Sequence, residues 1–146
     1  MAGESALFPH LIVDDAAAAI DFYGKAFGAE ELDRIPGPDG RLIHADIRIN
    51  GSIIMLNDDF PGVSGGSTTP RALGGSPVTI HLTVPDADQA FDRAVSAGAT
   101  VAQPLEDQFW GDRYGVLVDP FGHHWSIGQH IRDVSLDEIR DAAQRM

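Results

Sequence analysis

Two histidines, His10 and His81, stand 71 residues apart, and each opens a copy of one short pattern: "HLIVDDAAAAID" and "HLTVPDADQAFD". Seven of the twelve positions are identical. Imidazole exchanges protons near neutral pH and binds transition metals, so a symmetric pair suits acid–base catalysis or part of a metal site. A plainer role is hydrogen bonding on the wall of a cavity that holds no metal. A second candidate group lies in "DQFWGDRYG". There Phe109 and Trp110 flank a Gly-containing turn, where they could stack on a planar ligand or simply cover the end of a sheet. Arg113 could grip a carboxylate or phosphate with its fork, or form a salt bridge within the protein.

Bulk composition narrows the partners. The chain has 146 residues, 43% of them apolar, enough for one domain or two small modules around a shared core. With 22 acidic residues against 10 Lys and Arg, the net charge is −12, and no basic cluster offsets it. Nucleic acid and anionic membrane are therefore not expected as partners. There is no cysteine, hence no disulfide and no thiolate nucleophile, which suits a cytoplasmic protein. The opening "MAGESALFPH" has no basic start followed by an apolar run, so no signal peptide is expected. No apolar stretch approaches the roughly 20 residues that cross a bilayer.

The elements that carry these residues follow from periodicity. Each copy starts as a strand and turns into a helix. Asp14 or Asp15 in the first copy and Asp86 in the second stand where a helix N-cap belongs, and Gly28 and Gly98 where the helices should stop. On the strands, Leu11 and Val13, and likewise Ile80, Leu82 and Val84, share a face that should meet the helix. Phe8, His10 and Ile12 point away from it, as do Thr79, His81 and Thr83. Further strands lie at Glu31–Ile35 and Thr100–Leu105. "RLIHADIRINGSIIMLND" reads as a hairpin turning at Asn50-Gly51, and "RYGVLVDPFGHHWSIGQ" as its counterpart turning at Pro120, Phe121 and Gly122. The fold class is α+β, with a βαβββ module over 6–57 and a second over 78–130. Between them, 58–77 is a Gly/Ser/Pro-rich linker, and 131–146 carries a C-terminal helix capped by Ser135 with Glu138. Trp125 should face the core.

Tandem βαβββ units carrying "DFYGKAFGAE" and "DQFWGDRYGVLVDPFGHHWSI" resemble the vicinal oxygen chelate superfamily, which includes glyoxalases, bleomycin-resistance proteins and dioxygenases, and within it the PhnB-like branch. The resemblance spans about Leu7 to Gln129. It implies curved mixed sheets forming a ligand cradle, and in the metal-dependent members a divalent ion held by two residues from each module. Matched through the helix and the "DPFG" turn, those four positions fall on Phe8, Met55, Thr79 and Ser126. That set has no imidazole or carboxylate, so no metal and no other cofactor is expected there. His10 and His81 lie two residues beyond the first-strand positions, and His124 has matching parity on the last strand. An unusual divalent metal on these histidines is the alternative.

The expected function is thus binding of a small, partly apolar or aromatic molecule, with Phe8, Met55, Thr79, Phe109, Trp110, Arg113, His124 and Ser126 as candidate ligand contacts. The competing reading is a lyase, isomerase or dioxygenase using an unusual metal or His10 and His81 as catalytic groups. An interaction module without ligand is disfavoured, because the polar residues on the inward strand faces have no structural need to be there. Half-open sheets leave edges exposed unless a second sheet closes them, and either the other module of the same chain or a module of a partner chain could do so; the superfamily resemblance implies the partner chain, hence a homodimer.

Overall fold

In the computed structural model, which describes residues 7–146, the chain folds as two four-stranded sheets, each with its own helix. Ala6 and most of the segment read for a signal peptide lie outside the described residues. Strand β1 (His10–Val13) leads into helix α1 (Ala16–Phe27), followed by β2 (Glu30–Pro36), β3 (Leu42–Ile49) and β4 (Ser52–Asp58). Two single-turn helices follow, α2 (Pro61–Ser64) and α3 (Pro70–Leu73). The pattern then repeats as β5 (Thr79–Thr83), α4 (Ala87–Ala97), β6 (Thr100–Asp107), β7 (Asp112–Val118) and β8 (His124–His130), and α5 (Leu136–Ala143) ends the chain. The sheet orders are β1-β4-β3-β2 and β5-β8-β7-β6. In each, the first strand pairs parallel with the last and the other pairs are antiparallel, so both sheets are mixed and neither closes into a barrel. Among the described residues no helix is long and apolar enough to cross a membrane.

Local signals account for the boundaries. The carboxylate of Asp15 accepts the Ala18 N–H, Asp86 does the same for Gln89, and Ser135 for Glu138, each satisfying a free donor of a first helical turn. Gly28 closes α1 in the left-handed region at φ 70°, where a side chain would be strained. At the β3–β4 turn both central residues have positive φ, Asn50 at 48° and Gly51 at 83°, as a two-residue hairpin of right-handed twist requires.

The core runs through both modules. Leu11, Val13, Ala45, Ile47 and Leu56 from the first sheet, and Leu117, Trp125 and Ile127 from the second, are buried on the helix-facing sides. Helix α1 packs on α4, and Tyr23 and Phe27 of α1 meet Trp125 of β8, with ring centroids 5.4 and 4.5 Å apart. Beneath these rings Asp119 takes four hydrogen bonds: from the Tyr23 hydroxyl at 2.5 Å, Trp125 Nε1 at 2.9 Å, and the backbone N–H groups of Phe121 and His123 at 2.9 and 3.0 Å. Burial first, and the neighbouring Asp119 charge second, push the Tyr23 phenol well above its ordinary pKa, so it remains the donor.

The segment between the modules has more structure than its composition suggests. Asp58 closes β4 rather than opening a linker; it is 7% exposed, and its carboxylate accepts the N–H groups of Ala16 and Leu42 at 2.7 and 2.6 Å. Arg71 of α3 pairs with Asp14 in the first module and donates to the Pro120 carbonyl in the second at 3.1 Å. The segment is pinned to both halves.

Candidate functional site

The helices cover one face of each sheet; the chemistry-bearing residues sit on the other. On the second sheet, register places His81 beside Ser126 across the β5–β8 ladder and Thr79 beside His124. His81 Nδ1 and the Ser126 hydroxyl are 2.7 Å apart, and the imidazole stacks on Tyr114 at 6.0 Å with an interplanar angle of 17°. Tyr114 meets Trp110 edge to face at 5.7 Å, and Trp110 meets Phe109 likewise at 5.1 Å. The result is a continuous aromatic wall, Phe109–Trp110–Tyr114–His81, with a polar floor at Ser126. Trp110 Nε1 donates to Asp112 at 3.2 Å, which fixes the indole plane. Room for the imidazole comes from Gly128: a Cβ there would lie 2.7 Å from His81 Cε1.

A cavity of about 740 Å³ opens at the seam between the sheets, lined by Phe8, Arg48, Ile53, Ile80, His81 and Thr83 among others. His81 therefore borders both the aromatic wall and the seam. Among the described residues its Nε2 has no hydrogen-bond partner, leaving one nitrogen for a ligand.

His10 occupies the equivalent place on the first sheet. Its Nε2 and Asn57 Oδ1 are 2.5 Å apart, and its ring lies 6.2 Å from that of His44 in an edge contact. Met55 is its register partner on β4. His10 and His81 are thus held on separate sheets by separate partners, and the seam cavity is lined by His81 without His10. Arg113 projects to the helix side of β7. It spends its fork on Asp107 at 2.8 Å and Asp88 at 3.1 Å, hydrogen bonds that hold the guanidinium in its charged form.

The four positions that the family resemblance marks for a metal do not suit one. Phe8 offers no donor atom and Met55 only a thioether. Ser126 is 2% exposed with its hydroxyl engaged by His81, and Thr79 is a neutral hydroxyl.

Sequence reasoning did not single out Tyr114, Asn57, His44, Asp46 or Asp33. The alternation in "LIHADIRI" does put His44 and Asp46 on one face. The position of Asp33 depends on a bulge between Glu31 and Asp33 that no residue type in "EELDRIP" announces.

Residues 6–127 match a family model described as Glyoxalase/Bleomycin resistance protein/Dioxygenase superfamily. The chain is 68% identical over 140 residues to the Mycobacterium bovis protein Mb0911c, covering 95% of this chain and 92% of that one. Among solved structures, TioX from Micromonospora sp. ML1 superposes with a TM-score of 0.68 at 32% identity, covering 88% of this chain and all of the other. A PhnB protein from Bacillus cereus has the same fold, with a TM-score of 0.65 at 20% identity over 86% of this chain and 99% of its own.

Proposed function

We propose, from the premise that this chain belongs to the glyoxalase/bleomycin resistance protein/dioxygenase superfamily, that it binds a small, partly apolar or aromatic molecule at His81. The observation that carries this reading is the setting of that imidazole. One nitrogen is held by Ser126, one face lies on Tyr114, and one side opens on the seam cavity that Phe8 lines. Aromatic walls with a few placed polar groups are what small-molecule sites are commonly made of. The absence of any imidazole or carboxylate at Phe8, Met55, Thr79 and Ser126 supports binding rather than metal-dependent turnover. The acid excess of 22 to 10 argues against polyanionic partners.

The test uses a planar apolar probe, 1-anilinonaphthalene-8-sulfonate, read through tryptophan emission. Trp110 stands in the aromatic wall and Trp125 borders the seam cavity, so loss of emission from either reports a probe bound there. His81→Ala is expected to weaken binding about ten-fold, near 1.4 kcal/mol, and Trp110→Ala to remove part of the quenching, leaving the share due to Trp125. Binding unchanged in both variants would remove the site from this face.

A second copy of the chain completes the proposed site. The open faces and the edge strands, β1 and β2 of the first sheet and β5 and β6 of the second, are the surfaces a partner sheet would cover, and two-fold dimers are the commonest oligomers. Such an interface should bury more than about 1,000 Å² and survive dilution. Sedimentation at low micromolar concentration is expected to give a dimer. A stable monomer that still binds the probe would exclude a shared cavity.

A further inference from the structure

We propose that Asp33, His44 and Asp46 form a divalent transition-metal site on the open face of the first sheet, built on β2 and β3 and not from the four residues that the superfamily resemblance marks, of which Met55 lies beside Asp46. The proposal goes beyond the His81 reading and does not depend on it, since it concerns the other sheet. One ligand atom from each of the three residues lies within 4.8 Å of the others. Modest side-chain rotation would bring all three onto an ion with bonds of about 2.1 Å. His44 Nε2 is already 2.9 Å from Asp46 Oδ1, and these two side chains are 29% and 25% exposed, while Asp33 is exposed to solution.

Two features distinguish this cluster from an incidental meeting of acids. Register sets Asp33 directly opposite Asp46 across the β2–β3 ladder, an arrangement of like charges that destabilises a sheet. The neighbouring arginines do not relieve it: Arg34 is paired with Glu31 at 2.7 Å and Arg48 with Glu30 at 3.4 Å. Among the described residues neither aspartate has a Lys or Arg partner. A bound cation would supply the missing positive charge.

The internal repeat supplies the second argument. The bulge that turns Asp33 onto this face recurs in the second module between Val101 and Gln103. There the matching register pair is Gln103 and Val116, because Asp46 pairs with Met55 and Val116 with Ser126. Two residues before each, His44 corresponds to Tyr114. The same framework is therefore built with Gln, Tyr and Val, and it does not require two carboxylates and an imidazole. One imidazole and two carboxylates suit Zn²⁺, Co²⁺ or Mn²⁺ better than the all-oxygen cations, and leave positions for water or a ligand.

The experiment titrates untagged protein with Co²⁺ and Zn²⁺, following Co²⁺ absorption, calorimetric stoichiometry and the rise in melting temperature that binding to the folded state produces. One ion per chain is expected. His44→Ala and Asp46→Asn should each weaken binding by at least about ten-fold, the scale on which even an outer-shell partner matters. Asp33→Asn should melt no lower than the parent without metal, because it removes a repulsion, yet lose the metal-induced rise. His130→Ala alters the exposed group formed with Asp112 and Asp133 and should leave binding intact. Absence of binding at about 1 mM ion would overturn the site. Equal affinity in the His44 and Asp46 variants, or loss on removing His130, would overturn it too.

Discussion

Replacing Asp119 with alanine is expected to unfold much of the protein or lower its melting temperature by more than about 10 °C, since a loss of several kcal/mol shifts domains of this size by that much. Four donors end on this one carboxylate: the Tyr23 hydroxyl, Trp125 Nε1, and the N–H groups of Phe121 and His123. Asp119 is 4% exposed and Tyr23 and Trp125 are no more than 1% exposed, so water cannot readily take over. Each buried donor left without an acceptor costs about 1–3 kcal/mol, and four of them approach a large share of a typical domain stability of roughly 5–15 kcal/mol. The loss is also structural in reach, because Tyr23 belongs to the first module and Asp119 to the second. Asp119→Asn should fall between the two. Its amide oxygen can still serve the backbone pair, but its NH₂ group would confront the Trp125 N–H. Urea unfolding compares all three proteins. An unfolding free energy for Asp119→Ala within about 1 kcal/mol of the parent would show that the hub is not what joins the modules.

Gly111→Ala should cost about 3 kcal/mol and disturb the aromatic wall at the same time. Gly111 has φ 101°, and a Cβ there would lie 2.3 Å from the Arg132 carbonyl oxygen and 3.1 Å from Val134. The φ value alone is worth about 1–3 kcal/mol for a residue with a side chain. The obstructing atom is backbone, so relief requires the following segment to move. That segment is clasped to the turn by the N–H groups of Ile131 and Arg132, which both donate to the Gly111 carbonyl at 2.9 and 3.1 Å. Trp110 is the preceding residue, and its emission and near-ultraviolet dichroism should change along with stability. Gly128→Ala provides the comparison. Its obstruction is the His81 ring, a side chain able to swing away, so it should perturb His81 more than the fold. Equal, small effects on stability would mean that the turn at Gly111 is freer than its hydrogen bonds indicate.

Much of the molecule could be written down from residue order. The duplicated module, the caps at Asp15, Asp86 and Ser135, the stops at Gly28 and Gly98, the Asn50-Gly51 hairpin and the burial of Trp125 all follow from short-range rules. Capping, turn geometry and the two-residue period of a strand act within a few positions, so their signals are local. The same period assigned His10 and His81 to the faces away from the helices, whereas Phe8, Met55, Thr79 and Ser126 were marked as metal positions only by the family resemblance, and their side chains make a poor metal set. Tertiary structure decided what those residues meet. Which strand lies beside which, and in what register, set the His81–Ser126 contact, the stacking on Tyr114 and the opposition of Asp33 and Asp46. A one-residue bulge exchanges the two faces of a strand, and no side chain in β2 encodes that shift by itself. The Gly, Ser and Pro residues of the linker likewise say little about distant partners. Its fixation rests on Arg71 reaching Asp14 and Pro120, contacts across 57 and 49 positions that only the packed modules bring within range.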